Sequence, residues 1–310
     1  MTVIPDISEV IIMIDSFAHS VYYAPRGKDR LMFLGNNISQ IHLHANDKLI
    51  GLIGDAGAGK SLLVKGMFPG LTLTNDDEGI NMRPLPVLED YEDGTFSAHT
   101  YHVDIRFETA FSQPWEIARA IEKAVLKGKR VVVEHFNLIE TYLNIYPEVL
   151  VGIGEEVLVT RPGVFGPDSE EIGKIVFNSI NYRRMAHTAE DLTAMVIEKR
   201  GYMRPPLHSD VKSGFVLQFD KRPDFKIENI ENEVKEMIEN DLRVNYIDDE
   251  HIDIGGKKYR CTGPRIHMNR TGQIDGFQLY HDFKIDPRTN FFLLAGVVGE
   301  ERSQFQLSKL

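Results

Sequence analysis

The chain has a single cysteine, Cys261, and so cannot form an internal disulfide. That removes the disulfide-stapled secreted scaffolds and makes a reducing, cytoplasmic setting the expectation. It also means that any metal centre must be built mostly from histidine and carboxylate. No apolar run approaches the roughly 18 residues that a membrane-spanning helix needs, so no membrane partner is expected. Residues 1–16 lack a basic first segment and carry Asp6, Glu9 and Asp15 among their apolar residues, which argues against a secretory signal. Positive charge is also short, with 35 Lys+Arg against 46 Asp+Glu, a net charge of −11 that falls mainly before residue 200. A chain of this sign has no broad attraction for nucleic acid. A nucleic-acid contact would need a local basic patch or a partner, and Arg183 with Arg184, Lys257 with Lys258 and Arg260, and Arg265 with Arg270 are the candidate patches. Internal repeats and low-complexity segments are absent too.

What the chain does have is the material for two domains of ordinary size: 310 residues, 42% hydrophobic and 26% charged. Residues 54–61 read Gly54-Asp55-Ala56-Gly57-Ala58-Gly59-Lys60-Ser61, which fits G-x-x-x-x-G-K-[ST]. The apolar run Leu49–Ile53 precedes it, and a helical-looking Leu62-Leu63-Val64-Lys65 follows. Glycines at this spacing let backbone N–H groups converge on phosphate at a helix N-terminus, where the helix dipole also favours an anion. On this reading Lys60 reaches the outer phosphates of a nucleotide and the Ser61 hydroxyl holds Mg²⁺.

Apolar runs alternate with helical patterns over residues 38–160. Thr100–Ile105, a helix from about Pro114 to Lys127, Arg130–Glu134 and Glu156–Thr160 follow the loop. That rhythm predicts an α/β domain with a mostly parallel sheet over residues 1–165. Two prolines and two glycines in Arg161–Pro167 mark the junction, and residues 166–310 read as an α+β domain. In it Asp168-Ser169-Glu170-Glu171 opens a helix, Ile230–Ile238 has helical spacing, and Gly214–Phe219 and Phe291–Val297 are strand-like.

Val131-Val132-Val133-Glu134 is an apolar strand ending in a carboxylate, either a plain exposed strand end or an acid placed beside metal or water. His102, Asp104 and Arg106 alternate and would share one strand face, as a polar edge or as site residues. These segments, with the loop, Phe33-Leu34-Gly35 and Tyr91–Gly94, resemble the TsaE-type ATPases of bacterial tRNA threonylcarbamoyl-adenosine synthesis over about residues 30–140. The resemblance implies ATP with Mg²⁺ at Lys60 and Ser61, Asp104 close to the metal, Glu134 assisting hydrolysis, and tRNA-modification proteins as partners. The chain departs from that family in having no Ser-Pro-Thr element before Leu85 and in placing His135, not Trp, after Glu134.

In the second half His187 and Asp191 stand four apart on an expected helix, a spacing suited to two metal ligands. Cys261 and His267 could complete a four-coordinate Zn²⁺ site, or each could be an ordinary helix-surface, buried or loop residue. The order of segments over about residues 183–298 resembles the second additional domain of threonyl- and alanyl-tRNA synthetases. That family uses a His-x-x-x-His helix and a Cys-x-x-x-His turn, often with zinc, to hydrolyse mischarged aminoacyl-tRNA. Here Asp191 replaces the second helix histidine, and five residues, not three, separate Cys261 from His267.

The expectation drawn from both halves is a P-loop ATPase coupled to an aminoacyl-tRNA editing-like or tRNA-binding domain. A small-molecule kinase and a nucleotide-gated module that binds tRNA or an amino acid without hydrolysis are the alternatives.

Overall fold

The computed structural model describes residues 19–74, 84–162, 167–203 and 207–299. The expectations for residues 1–16, most of the Arg161–Pro167 junction and the switch element before Leu85 fall largely or wholly outside them. Along the chain the strands are β1 (His19–Tyr23), β2 (Leu49–Gly54), β3 (Thr100–Asp104), β4 (Arg130–Glu134), β5 (Val149–Ile153), β6 (Glu156–Thr160), β7 (Leu207–Val211), β8 (Gly214–Phe219), β9 (Val244–Asp248), β10 (His251–Ile254), β11 (Lys257–Arg260), β12 (Gln278–Leu279), β13 (Lys284–Ile285) and β14 (Phe292–Val297). The α-helices are α1 (Lys28–His42), α2 (Lys60–Met67), α3 (Pro86–Asp93), α4 (Ile105–Glu108), α5 (Pro114–Leu126), α6 (Ser169–Lys199) and α7 (Ile227–Glu239). They fall into two compact units, one of Asp29–Asn178 with the chain up to Tyr22, the other of Tyr23–Lys28 with the chain from Ser179 onward. The division lies inside α6.

The first unit is built on a sheet in the order β1-β6-β5-β2-β4-β3. Every residue of β2 and β5 is buried, the pattern of strands covered on both faces. Gly51 in β2 is where the ring of Phe136 lies, only 2.6 Å from where a Cβ would stand. Helices α3 and α5 each begin with proline at the first turn, where a missing N–H costs nothing. Glu116 closes the start of α5 by accepting the Gln113 N–H at 3.0 Å. Helices α1 and α2 cross closely: a Cβ on Gly66 would lie 2.1 Å from the carbonyl oxygen of Met32, and one on Gly35 2.4 Å from that of Leu63.

The expected mostly parallel P-loop sheet requires correction, because the sheet is mixed. β2 runs parallel to β4 and β5, and β3 parallel to β4, but β5 and β6 are antiparallel. The reason is local: only Gly154 and Glu155 separate β5 from β6, whereas a parallel return needs a crossover of a dozen residues or so.

The second unit uses antiparallel pairing in both of its sheets. β9, β10 and β11 form a meander whose last turn, Gly255-Gly256, has both residues at positive φ (59° and 82°), and β12, β14, β8 and β7 form the other sheet, with β13 on β14. Ile227, Ile230 and Val234 of α7 and the face of α6 from Met185 to Ile197 fill the core between them. The start of α6 is a reciprocal cap: Asp168 Oδ1 accepts the Glu171 N–H at 2.8 Å, and Glu171 Oε2 accepts the Asp168 N–H at 3.1 Å. Among the described residues no helix is long and apolar enough to cross a membrane.

Candidate functional sites

In the first unit β2, β4 and β3 point the same way, so Gly54, Glu134 and Asp104 arrive together at one edge of the sheet. Glu134 pairs with Leu52 on one side and Asp104 on the other. The carboxyl ends of parallel strands are where ligands bind in α/β sheets. Here the Gly54–Ser61 loop turns the chain from β2 into α2, with Gly59 at φ 102°, a conformation that favours glycine. Lys60 is buried, and its ammonium donates to the carbonyls of Gly54 at 3.2 Å and Asp55 at 2.9 Å. Burial holds its pKa below the ordinary lysine value, against the pull of Glu134, Asp104 and Asp55.

Glu134 is 2% exposed, so it is not a plain exposed strand end. It accepts hydrogen bonds from Ser61 Oγ at 3.2 Å and His102 Nε2 at 3.1 Å. Burial alone would raise its pKa, but His102, Lys60 and Ser61 overcome that and hold it below the usual carboxylate range. The histidine tautomer follows from Thr74, whose backbone N–H donates to His102 Nδ1 at 3.1 Å. Nδ1 is therefore the acceptor and the ring proton sits on Nε2, aimed at Glu134. His135, at φ 57°, is pushed down to about 4 by burial first and by Lys60 second.

Arg106 departs from the expected strand face. β3 ends at Asp104, which caps α4 by accepting the Phe107 N–H at 3.3 Å, and Arg106 belongs to that short helix. Thr74 is not among the site residues expected from the sequence. Its role depends on a backbone N–H, which leaves no trace in side-chain chemistry.

In the second unit α6 carries His187 and Asp191, and the turn after β11 carries Cys261 and His267. One ligand atom from each of the four lies within 4.8 Å of the others. His187 Nε2 is 3.2 Å from Cys261 Sγ, Cys261 Sγ is 3.8 Å from His267 Nε2, and His267 Nε2 is 3.0 Å from Asp191 Oδ2. The Gly263 N–H also points at Sγ, at 3.3 Å. The longer loop between Cys261 and His267 thus still returns the histidine to the cluster. His267 Nδ1 faces the Pro264 carbonyl at 3.3 Å and its Nε2 faces the Asp191 carboxylate, so both ring nitrogens meet acceptors, and an ion bound between Nε2 and Oδ2 would take the place of the Nε2 proton. Burial, then the nearby His267, lowers the pKa of His187 and keeps its imidazole neutral. Two imidazoles, a thiol and a carboxylate gathered around one point are a chemically sound donor set for a divalent transition ion, which binds as the ring nitrogen and the thiol give up their protons.

Four members of the candidate basic patches have partners within the fold. Arg183 is buried and donates to the Pro25 carbonyl at 2.6 Å. Lys258 pairs with Asp248 at 3.3 Å, Arg260 with Glu250 at 3.7 Å, and Arg270 with Asp241 at 2.6 Å.

No protein-family model and no curated protein matches the chain. Among solved structures it is similar to one titled as SPT with PLP (10% identity, 96% of this chain and 72% of that one, TM-score 0.25). It is also similar to the ornithine aminotransferase of Toxoplasma gondii (10%, 86% and 72%, 0.22) and to an aminotransferase of Eubacterium rectale (12%, 72% and 64%, 0.24). At such scores pyridoxal phosphate remains a property of those proteins.

The two family resemblances are corrected accordingly. Neither the TsaE-type ATPases nor the synthetase second additional domain appears among these matches, and the labels P-loop ATPase, Walker A and synthetase-like editing domain are withdrawn. ATP, Mg²⁺ and Zn²⁺ as named cofactors are withdrawn with them. The physical reason is that a short loop motif and an order of short segments constrain a few tens of residues locally. The path of the sheet, with its antiparallel hairpin, is set by the rest of the chain.

Proposed function

We propose that the first unit binds the phosphate of a phosphorylated ligand, an ester or an anhydride, on the Gly54–Ser61 loop and acts on it with Glu134. The observation that supports this reading is the meeting of Lys60, the first turn of α2 and the ionised Glu134 at one edge of the parallel strands. The first N–H groups of a helix have no intrahelical partner, and with the Lys60 ammonium they offer positive charge to an anion. Glu134 is held too acidic to strip a proton readily at neutral pH. It serves by accepting a hydrogen bond and orienting the attacking water or hydroxyl. Lys60 balances charge on the phosphoryl oxygens as the bond to the leaving oxygen breaks.

The test is calorimetric titration of the full chain with pyrophosphate and with a nucleoside diphosphate. Binding by the wild type that weakens ~10–100-fold in Lys60→Ala supports the reading, as loss of a hydrogen bond to a charged group should. Absence of binding by the wild type to either anion refutes it. A phosphorylated added acceptor, in place of released phosphate, would mark transfer to a metabolite.

A second reading is favoured by the four-donor cluster: a metal-assisted hydrolytic centre in the second unit, with an ester as the substrate class. His187, Asp191, Cys261 and His267 would hold the ion, whose contribution is to make bound water a nucleophile at neutral pH. Cobalt(II) serves as the probe, because thiolate ligation gives it a charge-transfer band. An unchanged spectrum on titrating the wild type rules this reading out.

A further inference from the structure

We propose that Glu190, itself held by Arg26, positions His187 so that its Nε2 lone pair faces the centre of the four-donor cluster. This rests on the metal-centre reading of the second unit. His187 and Glu190 lie three apart on α6, one turn along the same face. Glu190 Oε2 is 3.2 Å from His187 Nδ1, and Arg26 Nε is 3.2 Å from the same oxygen. The Arg26 and Glu190 side chains are each 3% exposed. Arg26 is tied down in turn by donating from Nη1 to the Gly214 carbonyl at 3.0 Å.

An ionised carboxylate has only acceptors, so the proton of a neutral His187 sits on Nδ1 and the lone pair is left on Nε2. That nitrogen is the one 3.2 Å from Cys261 Sγ. Without Glu190 the ring could carry its proton on Nε2, turning a ligand nitrogen into a donor that repels any cation placed beside Cys261. The Arg26 guanidinium is the buried partner that holds the Glu190 carboxylate in place opposite Nδ1. His267 receives its counterpart from the Pro264 carbonyl, so the two rings are set by two different kinds of acceptor. Outer partners of this sort typically change metal affinity 10–100-fold when removed.

The experiment uses the full chain as wild type, Glu190→Gln and Glu190→Ala. Long-range ¹⁵N–¹H NMR of the metal-free wild type reports the His187 tautomer without any ion. The Nδ1–H form is expected, and an Nε2–H form overturns the proposal. Cobalt(II) titration should then show affinity falling at least ~10-fold in Glu190→Ala, with much of it restored in Glu190→Gln, whose amide oxygen can accept the same Nδ1–H. A wild type that binds cobalt with the thiolate band while Glu190→Ala binds equally well overturns the positioning role and leaves the metal centre standing. A wild type that binds no cobalt refutes the metal centre itself. If Glu190→Ala does not fold by circular dichroism, the wild-type tautomer and the Glu190→Gln titration decide the matter.

Discussion

The two candidate sites are both buried clusters of histidine and carboxylate, yet their charges are balanced in opposite ways. In the first unit a fixed cation, Lys60, stands among the acids, and the Glu134 carboxylate is satisfied by Ser61 and His102. Such a site has an ammonium and helix N–H groups to offer, and it suits an anionic ligand. In the second unit four side chains able to ligate a metal gather within 4.8 Å of one another, and the fixed cation, Arg26, sits behind Glu190 and not within the cluster. That arrangement suits a cation. The same residue types therefore recognise ligands of opposite sign, and what decides is where the protein places its own positive charge.

The sharpest way to break this comparison is to displace the turn that carries two of the four donors. A Cβ on Gly263 would stand 2.0 Å from the Arg26 carbonyl oxygen and 3.1 Å from His187 Nε2. Gly263→Ala should cost ~3 kcal/mol, as overpacking against backbone does, and should abolish cobalt binding. Denaturant unfolding and the same titration check it; unchanged stability and binding would mean that the turn is not seated as described.

Next comes pH. The folded pKa of His135 is lowered to about 4 from 6.5, so between these values the unfolded chain binds more protons than the folded one. The stability this gives is present above about 6.5 and is lost as the pH falls through 4. Across that window the wild type should lose ~2–3 kcal/mol that His135→Asn, which also tolerates positive φ, does not lose. Urea midpoints of both proteins at pH 7 and pH 4 test this. Parallel curves would show that His135 is not the neutral, buried group on which the charge balance around Lys60 depends.

His102→Leu probes the smallest term. It removes the proton aimed at Glu134 and leaves the Thr74 N–H and a carboxylate oxygen without their partner, which should cost about 2 kcal/mol. It should also raise the Glu134 pKa, seen as a shift of its carboxyl ¹³C titration toward neutral pH. Together with the loss of anion binding in Lys60→Ala, these results would place the first site's charge balance on named atoms.

Much of the local architecture was legible in the sequence. The helix expected from about Pro114 to Lys127 spans Pro114–Leu126, and the carboxylate-tipped strand is Arg130–Glu134. The reciprocal cap at Asp168 and Glu171 forms as its spacing suggests. These are short-range matters of periodicity, proline and capping chemistry. The His187, Asp191, Cys261 and His267 set could also be proposed, because helical spacing and ligand chemistry are local, and Glu190 was within reach as the third residue after His187. Arg183 was misread as surface charge because nothing nearby in sequence reveals the Pro25 carbonyl that receives it. The antiparallel β5–β6 hairpin escaped notice because both strands are mostly apolar and buried, and such runs look alike in parallel and antiparallel sheets.

By itself, then, the sequence determined the elements and the chemical vocabulary: a glycine-rich loop ending in Lys60 and Ser61, a strand ending in Glu134, and a helix with His187 and Asp191. Only the tertiary structure decided their meaning. Hydrogen bonds from Thr74 to His102, from Arg26 to Gly214 and between His187 and Glu190 join residues or atoms whose pairing depends on the folded path. Those contacts set which nitrogen holds a proton and where the fixed cation lies, because in a buried site tautomer and charge follow the nearest partner and not the residue type.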